Sequence, residues 1–149
     1  MTAAMPTAAL PVEIWHNPAC GTSRNTLALI RHVGIEPLVV EYLQAPPDKQ
    51  RLRDAIAAAG LAVREAIRSK EPAYLANGLD DQSLSDDALL DAMIAHPALI
   101  NRPFVFSPLG VRLCRPDSSM VLDILPPCDQ PFAKEDGEVV IGDRGNRLR

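Results

Sequence analysis

Cysteine is scarce in this chain. Cys20, Cys114 and Cys128 are the only three in 149 residues. An odd, sparse set excludes a dense disulfide framework and fits a reducing, cytoplasmic setting with a reactive thiol. Positive charge is not in excess either: 15 Lys and Arg stand against 19 Asp and Glu, for a net charge of −4. No general positive field exists to draw in phosphates, which argues against nucleic-acid binding. No apolar run approaches the roughly 20 residues of a membrane span. Met1 to Leu10 contain neither Lys nor Arg and no sustained hydrophobic segment, so 1–11 is expected to be a loose arm and not a signal peptide. Repeats and low-complexity blocks are absent, and nothing calls for a metal or a bound cofactor. What remains is a chain 47% hydrophobic and 23% charged, long enough for one core-bearing domain.

The most informative stretch is His16-Asn17-Pro18-Ala19-Cys20-Gly21-Thr22-Ser23-Arg24-Asn25-Thr26. It follows the strand-like Val12–Trp15 and leads into a helical pattern of Leu27, Ile30 and Val33 closed by Gly34. A cysteine therefore sits where a strand becomes a helix. Gly21, Thr22 and Ser23 form the helix start, whose unpaired N–H donors and positive dipole end favour an anion. Such sites bring a thiol from about 8.5 toward or below neutral.

Further patterns give the layout. Leu38–Leu43 reads as a second strand, parallel to the first in a βαβ unit. Pro46-Pro47-Asp48 opens a helix with Leu52, Ala55, Ile56 and Ala59 on one stripe, stopped by Gly60. From about 61 to 97 the segments are short and helical. Arg64 and Arg68, spaced i,i+4, share a face if helical. Ser85 caps a helix bearing Leu89, Leu90, Met93 and Ile94. Phe104–Phe106 and Val111–Cys114 form a hairpin about the Ser107–Gly110 turn. Asp117–Leu125 is read as a last core helix, with Met120, Val121, Ile124 and Leu125 inward. Phe132–Arg149 is either a loose hairpin around Asp143-Arg144-Gly145 or a tail. The order β-α-β-α, helical insert, β-β-α predicts an α/β fold with a thioredoxin- or glutaredoxin-like mixed sheet and an inserted helical subdomain. On this division 12–125 is the domain, about 61–97 its insert, and 126–149 a C-terminal extension.

Cys20 admits two readings. A lone cysteine is commonly a small buried apolar residue. Here Asn17, Thr22, Ser23 and Arg24 surround it with polar groups, and Gly21 allows another molecule to approach, so the reactive reading is favoured. Ser23 stands where a dithiol oxidoreductase has its second cysteine, which excludes an internal Cys-x-x-Cys disulfide. Arg24 follows Cys20 by four residues, too early for the arginine of a phosphatase loop. His16 is either a cation that stabilises the thiolate or a strand-end imidazole bonded to backbone. Arg68, Arg102 and Arg115 are either solvated surface residues or, if they converge, an oxyanion pocket. Pro103 is trans by default; a thioredoxin-like sheet would favour a cis bond facing the cysteine.

Together with Asn101-Arg102-Pro103 and Leu113-Cys114-Arg115-Pro116, the first motif resembles the glutaredoxin-coupled arsenate reductases. The similarity runs from about Val12 to Leu125 and more faintly through Phe132–Glu138. The resemblance implies Cys20 as nucleophile, His16 as the residue that lowers its pKa, and Arg68, Arg102 and Arg115 as holders of the arsenic oxyanion. Arg68 is the loosest match, because Ser69-Lys70-Glu71-Pro72 departs from the family pattern. It also implies arsenate as substrate, glutathione as co-substrate, glutaredoxin as partner and a covalent arseno-cysteine intermediate in arsenic detoxification. Two alternatives stand beside it: a non-enzymatic Spx-like redox regulator that binds RNA polymerase, and a reductase with an internal relay through Cys114 or Cys128.

Overall fold

A computed structural model describes residues 11–115, 117–126, 128 and 130–141. The arm's first ten residues and the Asp143-Arg144-Gly145 turn lie outside the described residues. The chain forms two compact units, 1–40 with 102–149, and 41–101.

The first unit carries the sheet. Strands β1 (Glu13–Trp15), β2 (Leu38–Val40), β3 (Phe104–Ser107) and β4 (Gly110–Leu113) lie in the order β2-β1-β3-β4. β1 pairs parallel to β2 and antiparallel to β3, and β3 and β4 make the expected hairpin. Helix α1 (Gly21–His32) crosses between the parallel strands. The mixed sheet and its connectivity are those of the thioredoxin-like layout. The core is apolar, with Ile14, Leu29, Ile30, Ile35, Val105 and Val121 buried together. Helix α1 ends at Gly34, whose φ of 92° needs a residue without Cβ.

Several elements differ from the sequence reading. The second strand stops at Val40, because the next residues turn, with Gln44 N–H donating to the Glu41 carbonyl. The last helix is not α-helical. Ser118–Ile124 is a 3₁₀ helix, begun by the Asp117 side chain accepting from Ser119 N–H. Its tighter winding leaves Met120 only half-buried, while Val121, Ile124 and Leu125 are inward. Beyond it, β5 (Phe132–Ala133) and β6 (Val139–Ile141) form an antiparallel hairpin. That hairpin turns at Gly137, φ 90°, well before residues 143–145.

The second unit is helical. It contains α2 (Lys49–Ala58), a 3₁₀ turn (Val63–Ala66), α3 (Pro72–Ala76), α4 (Asp86–Ala95) and a 3₁₀ turn (Pro97–Leu99). It starts at Glu41, earlier than the insert boundary near 61, because α2 packs on α4. Lys49 Nζ holds Asp87 and Asp91 of α4 at 2.7 and 2.8 Å. Asp48 and Ser85 cap these helices through their side chains. Arg64 and Arg68 do not share a helical face. The turn ends at Ala66, and Ile67 is extended and bridged to Ile100. Arg64 instead donates to the Tyr74 hydroxyl and the Leu79 and Asp81 carbonyls. Among the described residues no helix is long and apolar enough to cross a membrane.

Ser107 ties the hairpin to the 3₁₀ helix. Its Oγ donates to the Ile124 carbonyl at 2.6 Å and accepts from Leu109 N–H at 3.0 Å. Ser107→Ala should lower unfolding free energy by about 1–2 kcal/mol, read from urea denaturation; an unchanged midpoint would remove this tie from the fold's support.

Candidate active site

The site is built at one end of the sheet. The β1–β3 register pairs Trp15 with Phe104, and the β3–β4 register pairs Phe104 with Leu113. The exit of β1, the entry of β3 and the exit of β4 therefore lie side by side. Carried two residues past Phe104 and Leu113, the hairpin register sets Arg102 opposite Arg115. Arg115 Nη1 indeed donates to the Arg102 carbonyl at 3.0 Å, and Cys114 N–H to the Pro103 carbonyl at 2.9 Å. The Arg102–Pro103 peptide is cis.

Cys20 is the N-cap of α1, extended at φ −98° and ψ 121°. Its own N–H donates to the Asn17 carbonyl at 3.0 Å, and its carbonyl accepts from Arg24 N–H at 3.0 Å. Asn17 Oδ1 accepts from Ala19 N–H at 2.9 Å, so the approach is a side-chain-closed turn. Arg115 Nη1 donates to Cys20 Sγ at 3.6 Å. Partial burial is the largest single effect on the thiol and opposes ionisation. The Ser23 N–H and the side chains of Arg102 and Arg115 together outweigh it, so the thiol is held below its ordinary value.

Ser23 has a second duty. Its buried Oγ accepts from Asn17 N–H at 3.1 Å and bonds His16 Nδ1 at 2.7 Å. With its proton on Nε2 the neutral ring accepts the hydroxyl proton at Nδ1; the Nδ1–H tautomer and the imidazolium donate to Oγ instead. This link from His16 to the sulfur runs through Ser23, whose N–H supports Cys20. The Thr22 carbonyl accepts from Thr26 Oγ1 at 2.7 Å inside the first turn of α1. Gly21 faces Arg24, whose Nη2 would lie 3.6 Å from a Cβ placed there.

The first unit thus brings together Cys20, His16, Gly21, Thr22, Ser23, Arg102 and Arg115. Arg68 belongs to the second unit. Its N–H donates to the Leu99 carbonyl at 2.7 Å, and its Nε lies 3.4 Å from the Glu71 carboxylate. Among the described residues no cluster of His, Cys, Asp and Glu could hold a metal. The remaining cysteines are placed differently. Cys114 is fully buried in the core, and burial pushes its thiol up to about 12. Cys128 is half-buried against the same core.

Sequence reasoning missed one group beside the site. Arg24 donates from Nε and Nη2 to the Glu135 carboxylate at 2.9 and 3.1 Å, and from Nη1 to the Pro18 carbonyl at 2.9 Å. Arg24 and Glu135 are 111 residues apart in sequence, so no local spacing could signal the pair.

Comparison with known proteins gives a consistent picture. The ArsC family model matches residues 15–121. An arsenate reductase of Rhizobium meliloti (strain 1021) is 61% identical over 140 residues, covering 93% of this chain and 99% of the relative. One from Escherichia coli is 51% identical over 139 residues, covering 93% and 98%. The solved structure of an arsenate reductase from Vibrio cholerae is similar with a TM-score of 0.75 at 45% identity, over 78% of this chain and 99% of that one.

Two measurements test the site. The pH profile of Cys20 alkylation by iodoacetamide should have its midpoint below the ordinary thiol value of about 8.5, and Arg115→Gln should raise it by removing a donor and a charge. A wild-type midpoint at the ordinary value refutes the stabilised thiolate. Ser23→Ala strips the partner from His16 Nδ1 and from the Asn17 N–H, so it should cost about 1–3 kcal/mol of stability in urea unfolding; full retention of stability would show the network to be idle.

Proposed function

The chain belongs to the ArsC family, and on that footing we propose that it reduces arsenate to arsenite in arsenic detoxification, with Cys20 as nucleophile and glutathione and glutaredoxin as the electron source. The observation that carries this reading is a stabilised single thiol with guanidinium donors on it. Arg115 reaches Cys20 Sγ at 3.6 Å, and Ser23 occupies the position of a resolving cysteine.

The chemistry follows from that arrangement. The Cys20 thiolate attacks arsenic(V), an S–As bond forms, and an arsenate oxygen leaves as water after protonation. Arg102 and Arg115 supply planar N–H forks that match the oxyanion and offset its charge in the attack. Arg68 is assigned to the same oxyanion by its place in the family motif. Glutathione thiol delivers the electrons: arsenic goes from V to III, and the sulfur atoms are oxidised to a disulfide that glutaredoxin and further glutathione reduce. Arsenite then leaves and the Cys20 thiol is restored. His16, through Ser23, keeps the N-terminal turn of α1 in the geometry that supports the thiolate.

An external thiol is favoured over a relay within the chain. The Cys114 thiol, pushed up to about 12 by burial, is almost wholly protonated near neutral pH and is a poor attacking group. A cycle that consumes thiols fits the reducing cytoplasm that the sparse cysteines suggest.

The decisive assay is arsenate-dependent NADPH oxidation through glutathione reductase, glutathione and glutaredoxin. Wild type should turn over, Cys20→Ser should be inactive, and Cys114→Ser/Cys128→Ser should keep most activity. A folded double variant as inactive as Cys20→Ser would establish the relay instead. Arg102→Lys and Arg115→Lys keep the charge but lose the fork, so each should lower kcat/KM for arsenate by about tenfold or more; unchanged kinetics in either variant takes that arginine out of the pocket.

A further inference from the structure

The Arg24–Glu135 pair is half-exposed, with side chains 43% and 51% accessible. Ion pairs in that setting ordinarily contribute little. This one differs in three ways. It is bidentate, with Nε to Oε2 at 2.9 Å and Nη2 to Oε1 at 3.1 Å. The remaining terminal nitrogen, Nη1, is committed to the Pro18 carbonyl at 2.9 Å. And the carboxylate's own backbone is anchored, since Glu135 N–H donates to Asn25 Oδ1 at 3.0 Å. Glu135 lies at the β5–β6 turn, where Lys134 N–H bonds the Glu138 carbonyl and Gly137 N–H the Lys134 carbonyl. The rigid fork of one arginine therefore links the C-terminal hairpin to the peptide two residues before the nucleophile.

That peptide belongs to the turn that presents Cys20. Asn17 also supports it by accepting from Ala19 N–H and Cys20 N–H, and Ser23 Oγ accepts from Asn17 N–H. These bonds act on N–H donors of the turn. Arg24 acts on an acceptor, the Pro18 carbonyl, and so restrains the turn from the opposite sense of rotation. A planar fork holds a carboxylate bidentately and a carbonyl in a second fixed direction, a geometry that a rotating ammonium does not impose.

We propose that Arg24, fastened by Glu135 of the C-terminal hairpin, is a positioning residue that holds the Pro18–Cys20 turn so that the Cys20 sulfur stays on the Ser23 N–H and the Arg115 guanidinium. The proposal rests on Cys20 being the nucleophile. It gives the C-terminal extension a part in the site through Glu135.

Charge and position predict opposite results, which makes the test sharp. Arg24→Lys keeps the cation and loses the fork. Glu135→Ala removes an anion near the thiolate. Charge alone leaves the Cys20 alkylation midpoint unchanged in the first and lowers it in the second. Loss of positioning raises it in both, because the sulfur leaves its donors. We expect rises of about one pH unit, hence about tenfold slower alkylation at a pH below both midpoints. Asn25→Ala, which frees the Glu135 backbone without altering charge, should move the midpoint the same way by less. Arg24→Lys/Glu135→Ala should be no worse than either single variant, since one clasp is broken only once. An unchanged or lowered midpoint in either single variant, with a native circular dichroism spectrum, overturns the proposal. Alkylation needs no arsenate. A wild-type protein inactive in the coupled assay would therefore sink the arsenate reading and leave this test intact.

Discussion

The rest of the site depends on keeping a partly buried thiolate charged. Burial works against the ionised sulfur and must be offset by donors aimed at it. A cysteine at the N-cap of a helix receives part of that support from its own helix, through the N–H of Ser23. The rest must come from elsewhere. That demand explains why a sheet end, a hairpin and a helix start are brought to one place.

The sheet register meets the demand with little irregularity. β1 delivers the chain to the nucleophile turn and lies antiparallel to β3, so the entry to β3 is adjacent to the exit of β1. β4 returns beside β3, and its exit falls at the same end. Arginines placed just outside β3 and β4 are therefore neighbours of Cys20 by register alone. Alternation carried just past β4 places Cys114 in the core and Arg115 on the sulfur, so one thiol is buried and the other receives a donor. The Arg115 bond to the Arg102 carbonyl then fixes one guanidinium against the backbone that carries the other.

Much of this was legible in residue order, and the parts that were not share a physical cause. The nucleophile motif, the two flanking arginines and the hairpin are local patterns, read over a few residues each. Helix α1 and the Asp48 and Ser85 caps follow from capping chemistry in the same way. Winding depends on more than pattern: the apolar spacing of Val121, Ile124 and Leu125 suits an α-helix and a 3₁₀ helix alike, and the Asp117 cap with i→i+3 bonding decided for the tighter form. Arg64 and Arg68 kept their spacing but lost their shared face when Ile67 became extended against Ile100, a contact across 33 positions. The Arg24–Glu135 clasp lies further still from any local signal.

The absence of a second cysteine in the nucleophile motif has a structural counterpart. Ser23 does what a cysteine there could not do as well. Its small hydroxyl both accepts from the Asn17 N–H and meets His16 Nδ1 at 2.7 Å, where a thiol is a longer and much weaker hydrogen-bonding group. The residue that would have resolved a disulfide instead organises the turn that lowers the thiol's pKa. A site arranged in this way gains a more stable thiolate and holds no resolving cysteine in its motif, in keeping with the separate thiol proposed above as the electron source. Burial pushes the Cys114 thiol up, which makes it a poor attacking group and agrees with that proposal.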